Sequence, residues 1–212
     1  MFNKNDVSMS VIRRLPRYYR FLDKLLKKDI LKISSRELSE IMGITASQIR
    51  QDFHCFGGFG QQGYGYNVKI LHESIESILN IASIKKSILI GAGNLGRAIV
   101  SYANFKDKGF KIVGVFDKDP NLIGKNIGNY FIEDIKLLCE YCKKYKPTVA
   151  ILCIPQASAE KLSKTLIDLG IKGFWNFSHY DFTKKFDKIA VENVHLSDSL
   201  LTLGFQVDNL SY

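Results

Sequence analysis

The chain has 212 residues, 46% of them hydrophobic, and its 30 Lys+Arg against 21 Asp+Glu leave a net charge of +9. That much apolar material builds a core for one to two domains, and no apolar run nears the roughly 18 residues of a membrane span. The positive excess suits a polyanionic partner, but it is spread along the whole chain, so local clusters mean more than the total. Met1 to Asp6 lack the apolar stretch of a signal peptide, so a cytoplasmic location is expected, with no membrane partner. Cys55, Cys139, Cys142 and Cys153 are too few and too scattered for a disulfide scaffold.

In chain order, Ser10 to Lys28 places Ile12, Leu15, Tyr19, Leu22 and Leu26 at spacings of three and four, one face of a helix. Arg13, Arg14, Arg17 and Arg20 make its other face basic, either a solvated surface or a DNA contact. Pro16 bends this helix or marks its true start. Ser34-Ser35-Arg36-Glu37 then has capping-box spacing ahead of Leu38 and Ile41, and Gly43 closes a short helix. Thr45-Ala46-Ser47-Gln48 repeats the signal and opens a helix through Phe56. Two short helices joined by a tight glycine turn behind a longer one make a helix-turn-helix. Its second helix is the expected recognition helix, offering Ser47, Gln48, Arg50 and Gln51 to phosphates and base edges.

Gly57 to Tyr66 holds five glycines and three aromatics, the composition of a small hairpin, or wing, with Gln61, Gln62 and Tyr64 near its tip. A winged helix is therefore expected, the alternative being a three-helix packing module that touches no nucleic acid. Val68 to Ala82 reads as a helix leading to a boundary near Ser83.

The second part opens on the strand Ser87-Ile88-Leu89-Ile90, then Gly91-Ala92-Gly93-Asn94-Leu95-Gly96, then a helix from Arg97 to Ala103. Glycine is needed there three times: for a tight turn, for close approach of the backbone to a pyrophosphate, and for packing the helix on the strand. The helix N-terminus adds N–H groups for the phosphates. A second apolar run, Ile112 to Phe116, ends in Asp117, about 20 residues on, where an acid is expected to bind the ribose hydroxyls. A carboxylate there repels a 2′-phosphate, so NAD(H) is favoured over NADP(H), with Lys118 softening that repulsion. A helix from about Ile132 to Tyr145, a strand Thr148 to Ile154, a helix Ala157 to Leu169 and strands Gly173 to Phe177 and Ile189 to Val194 continue an α/β alternation. The sheet is expected to be parallel, with Pro155 and Gln156 at the edge where nucleotides bind. Cys139 and Cys142 have CxxC spacing but no second pair to complete a zinc site, so no metal is expected. Leu196 to Gln206 is a terminal amphipathic helix that either caps the sheet or reaches a partner subunit.

With these residues in view, the chain resembles the Rex family of redox-sensing transcriptional repressors over essentially its whole length. Arg14-Leu15-Pro16-Arg17-Tyr18-Tyr19-Arg20, Ile33-Ser34-Ser35, Gln48-Ile49-Arg50-Gln51-Asp52, Phe56 to Gly60, Gly63 to Tyr66, Gly91 to Gly96, Phe116-Asp117, Gly170 to Gly173 and Asn176-Phe177 match family motifs in family order. The resemblance implies an N-terminal winged-helix domain (residues 1–82), a Rossmann-like parallel α/β domain (83–194) and a C-terminal helix (195–212) swapped within a homodimer. It implies NADH and NAD+ as effectors, operator DNA as partner and release of DNA when NADH binds, without turnover. The cofactor residues so expected are Gly91, Ala92, Gly93, Asn94, Leu95, Gly96, Asp117, Lys118, Tyr102, Ile154, Pro155 and Asn176. Arg13, Arg14, Arg17, Ser34, Ser35, Thr45, Ser47, Gln48, Arg50, Gln51, Gln61, Gln62 and Tyr64 are expected at DNA. Three positions depart from the family pattern: many members carry a Lys-Arg pair where Gln61-Gln62 stand, and His195 replaces an Asp that pairs with the residues equivalent to Arg20 and Tyr102. The rival reading is an NAD-dependent dehydrogenase, which would need a substrate domain and a general acid or base near the nicotinamide, for which His179 and His195 are the histidines at hand. A CoA- or nucleotide-binding regulatory module would leave the winged helix unexplained.

Overall fold

The computed structural model describes residues 7–55, 57, 60–61, 65–102 and 105–210, with Gly60, Gln61 and Tyr102 described in their backbone only. The chain divides into two compact units, Met1–Ser83 and Ile84–Tyr212.

In the first unit the expected long helix is two: α1 (Met9–Ile12) and α2 (Leu15–Leu26). Pro16 lies in the first turn of α2, where its missing N–H costs nothing, and so marks the true start. Strand β1 (Lys32–Ile33) leads to α3 (Ser35–Met42), whose capping box is complete: Ser34 accepts from the Glu37 N–H, and Glu37 accepts from the Ser34 N–H. Gly43, at φ 62, makes the left-handed turn into α4 (Ala46–His54). Strands β2 (Gly60–Gln61) and β3 (Gly65–Asn67) form the wing, and β1 adds to β3, Ile33 opposite Tyr66. Helix α5 (Val68–Leu79) packs on α2, and Leu15, Tyr18, Leu22, Ile49, Phe53, Leu71 and Ile75 form a core sealed from water.

The second unit is a seven-stranded sheet ordered β10-β9-β8-β4-β5-β7-β6. Its strands are β4 (Lys85–Ile90), β5 (Phe110–Asp117), β6 (Asn126–Ile127), β7 (Tyr130–Asp134), β8 (Val149–Leu152), β9 (Gly173–Asn176) and β10 (Ala190–Asn193). All pairs are parallel except β6 with β7. Helices α6 (Asn94–Tyr102), α7 (Leu138–Tyr145) and α8 (Gln156–Asp168) connect them, and α9 (Leu196–Asp208) ends the unit. Along β4, Ile88 and Ile90 enter one core and Leu89 the other, so both faces of the sheet are covered. Each such buried side chain contributes roughly 1.5–3 kcal/mol.

One expected element is corrected. The helix placed over Ile132 to Tyr145 begins only at Leu138, and the preceding stretch is β7, hydrogen-bonded to β5 with Ile132 opposite Val115. A two-residue Gly128-Asn129 turn, with Gly128 at φ 54, joins β6 to β7. Ile132, Ile135 and Leu138 are spaced like a helix face, but long-range pairing overrides that local pattern.

Candidate effector site and nucleic-acid interface

Strand β4 has β5 on one side and β8 on the other, so the chain reverses its order across the sheet between β4 and β8. The carboxyl ends of strands at such a reversal leave a crevice for a ligand. The glycine loop occupies that point. The Gly91 N–H donates to the Phe116 carbonyl and the Cys153 N–H to the Ile90 carbonyl, both at 2.8 Å, tying the loop to the ends of β5 and β8. Gly91 stands at φ 101, and a Cβ there would overlap the Cys153 carbonyl; a Cβ on Gly96 would overlap the Gly91 carbonyl oxygen. These two glycines serve packing. Gly93 differs, because it is exposed and a Cβ there would meet nothing within 4 Å, leaving space above the backbone for a ligand.

Asp117 ends β5 beside the loop. Its Oδ2 accepts from the Ala92 N–H at 2.6 Å, and its Oδ1 accepts from the Lys118 and Asp119 N–H groups at 2.7 and 2.9 Å. The carboxylate is thus aimed by three backbone donors, and Oδ2 keeps a lone pair open for a hydroxyl. Arg97, half-buried one residue beyond Gly96, donates from Nε to the Ala92 carbonyl at 3.3 Å; sequence reasoning passed it over. Asn94 and Leu95 open α6, Lys118 is exposed, and Ile154 and Pro155 follow β8 into α8. The side chain of Tyr102 lies outside the described residues. Burial pushes the Cys153 thiol up to about 12, which makes it a core group rather than a reactive one. Cys142 packs in the core and its thiol is pushed up to about 11 by burial and by Cys139. The groups present, an accepting carboxylate, backbone amides and an open glycine position, fit a dinucleotide.

In the first unit, Ser47, Arg50 and Gln51 are exposed on α4, and Gln48 is half-buried. Arg50 Nη1 donates to Ser35 Oγ at 3.2 Å, linking α4 to the start of α3. Arg17 donates to the Met42 carbonyl and lies 6.0 Å from the Phe21 ring centre. Arg13 is exposed at the end of α1. Ser34 and Thr45 are N-caps of α3 and α4, but the second capping box is only half formed. Thr45 accepts from the Gln48 N–H, whereas the Gln48 side chain turns to Asp52. Gln62 and Tyr64, and the side chain of Gln61, lie outside the described residues.

The family model described as "Putative DNA-binding protein N-terminus" matches residues 6–54, and that described as "CoA binding domain" matches residues 82–180. The chain is 49% identical over 208 residues to the redox-sensing transcriptional repressor Rex of Caldicellulosiruptor saccharolyticus, covering 98% of this chain and 94% of the relative. The chain belongs to the Rex family. Rex of Clostridium perfringens is 47% identical over 209 residues, 99% of this chain and 98% of its own. Among solved structures, the Rex-family repressor RSP in complex with β-NAD+ and operator DNA matches at a TM-score of 0.87 and 50% identity, covering 95% of this chain and 93% of that one. RSP in complex with β-NADH matches at 0.86 and 46%, covering 95% and 94%.

Two side chains that the Rex resemblance assigned to ligands are committed inside the fold. Asn176 is fully buried: its Nδ2 donates to the Tyr180 carbonyl at 2.8 Å and to Asn193 Oδ1 at 2.7 Å, and its Oδ1 accepts from the Ser178 N–H and hydroxyl. Its amide has no capacity left for a cofactor. Arg14 holds Asp52 with two 2.7 Å hydrogen bonds instead of facing outward with the other arginines. Asp52 stands in a matching motif but carried no assigned role in the sequence, although Gln48 and Asp52 stand at the i,i+4 spacing that joins such pairs.

Proposed function

We propose that this chain is a transcriptional repressor that reads the NADH/NAD+ balance, holding operator DNA through the unit of residues 1–82 and releasing it when NADH occupies the unit of residues 83–194. The observation that carries this reading is the pairing, in a Rex-family chain, of a wing and recognition helix with an aimed Asp117 beside an open glycine loop. Asp117 accepts a hydroxyl of the adenosine ribose, which favours NAD(H) over a 2′-phosphorylated dinucleotide. Gly93 and the N-terminal amides of α6 receive the pyrophosphate. The nicotinamide ring supplies no hydride transfer here; it differs in charge and planarity between its two redox forms, and only that difference can bias two arrangements of the protein. The relatives are named as repressors, which leaves the dehydrogenase alternative unfavoured.

In this reading α4 enters the major groove, with Arg50, Gln51 and Ser47 toward DNA and Arg13 and Arg17 near the backbone. The working form is a homodimer in which α9 crosses to a second copy. Leu200, Leu201 and Phe205 of α9 are 67%, 74% and 70% exposed, an apolar face that a soluble monomer would rarely leave in water. A cytoplasmic site of action follows from the work of a repressor; among the described residues no helix is long and apolar enough to cross a membrane. The test is operator binding at a fixed total dinucleotide concentration with the NADH/NAD+ ratio varied. Binding that falls as the ratio rises supports the reading, and binding indifferent to the ratio overturns it.

A further inference from the structure

Asp52 lies on the inner face of α4 and is 1% exposed. Its carboxylate accepts four hydrogen bonds: from Arg14 Nε and Nη2 at 2.7 Å each, from the Tyr18 hydroxyl at 2.8 Å, and from Gln48 Nε2 at 2.9 Å. Arg14 is the N-cap residue of α2 and Tyr18 lies one turn into it, so one buried group ties α4 to α2. Burial alone would raise the Asp52 carboxyl, but the hydrogen bonds from Arg14, Tyr18 and Gln48 and the Arg14 charge outweigh it and hold it below its ordinary range. The group is therefore ionised at neutral pH, and an ionised carboxylate only accepts.

A consequence follows for Gln48. Its amide must turn nitrogen toward Asp52, which sets the carbonyl oxygen Oε1 on the far side of the amide. The backbone N–H of Gln48 is held too, by Thr45 Oγ1 at 3.2 Å. Gln48 is flanked on α4 by the exposed Ser47, Arg50 and Gln51. An unrestrained glutamine can present donor and acceptor together, as in a bidentate pair with adenine N6 and N7; one with its nitrogen pinned presents chiefly an acceptor.

We propose that Asp52 is a positioning residue for operator recognition: through its hydrogen bond to Gln48 Nε2 it fixes Gln48 as an acceptor that reads a base-edge amino group, adenine N6 or cytosine N4, in the major groove. The proposal rests on the reading that α4 enters operator DNA. It differs from a purely structural role for Asp52, which would weaken binding to every sequence alike.

The test uses the full chain and the duplex recovered by selecting a randomised DNA library with the wild-type protein. Affinities are measured for a panel in which each base pair is replaced in turn, and with purine in place of adenine to remove only the N6 amino group. Gln48→Met should lower discrimination at one base pair by about tenfold. Asp52→Asn should lower it at that same base pair, the double variant should add no further loss there, and the log-log salt slope and NADH affinity should stay at wild-type values. If Asp52→Asn does not fold, Tyr18→Phe and Arg14→Lys loosen the same carboxylate and should relax the same position. Loss of affinity spread evenly over the panel, with the base preference of Gln48 intact, overturns the proposal. A position that loses discrimination in Gln48→Met but not in any variant loosening Asp52 also overturns it. Failure of the wild-type protein to select any duplex would instead overturn the reading of α4 as a DNA helix.

Discussion

The Nδ1 atoms of His195 and His179 lie 2.7 Å apart, and their rings stack with centroids separated by 4.6 Å. In such a contact one Nδ1 donates and the other accepts, so at least one ring must keep a lone pair there. His179 sits in the loop after β9 at φ 61, and His195 is the N-cap residue of α9, making no side-chain hydrogen bond to that helix. The entry to α9 is therefore pinned from outside the helix. The family resemblance points His195 toward Arg20 and Tyr102; within its own unit it meets His179.

His195→Asp is expected to stabilise this junction. A carboxylate accepts from the His179 Nδ1–H and also caps the first turn of α9, the latter worth about 1 kcal/mol. A gain of that size raises the thermal midpoint by roughly 2–4 °C for a chain of this length. A melting temperature that drops instead would show that the ring stack outweighs the cap.

Gly93 and Gly96 should respond in opposite ways to the same change. Gly93→Ala adds a Cβ into open space, so the fold should melt as before while NADH affinity falls about tenfold or more. Gly96→Ala drives a Cβ into the Gly91 carbonyl, so it should cost stability by about 1–3 kcal/mol whether or not dinucleotide is present. Thermal melts and NADH titrations of both variants separate the cases. Equal NADH affinity in Gly93→Ala and wild type would remove the pyrophosphate from this loop.

Arg50 and Arg14 are both arginines of the first unit, yet only one should behave as a DNA contact. Arg50→Ala removes an exposed cation, so the log-log salt slope of operator binding should fall by about 1 with the fold intact. Arg14→Ala strips the buried Asp52 of its charge partner, so the melting temperature should fall instead. A reversal of these outcomes, read by salt titration and thermal melting, would exchange the two roles.

The stability of the first unit should fall in acid through Asp52. Its folded carboxyl lies below the ordinary value, so its contribution is complete above about pH 4 and drains away as pH falls below that toward the folded value. Protection factors of the Ile49 and Phe53 amides, that is, exchange relative to the intrinsic rate at each pH from 7 down to 3, should fall in wild type and change less in Asp52→Asn. An identical acid response in the two proteins would place the loss at other carboxylates.

The sequence by itself determined those features whose physical requirement is local. The glycine loop was legible because a tight turn and a close packing contact each demand the missing Cβ within six residues, and the ends of α3 were legible because a capping box closes within four. Apolar spacings of three and four likewise placed a helix where α2 lies. Only the tertiary structure decided the rest. Strand β7 owes its state to pairing with β5, 17 residues away at Val115 and Ile132, although the Gly128-Asn129 turn was a signal in plain sight. The same holds for side chains: Arg14, Gln48 and Asn176 looked outward as polar residues in ligand-binding motifs. Arg14 meets Asp52 across 38 residues and Asn176 meets Asn193 across 17, so what they bind was settled by packing that no local pattern records. A buried polar group must find its partner wherever the fold brings one, and that is a property of the assembled chain.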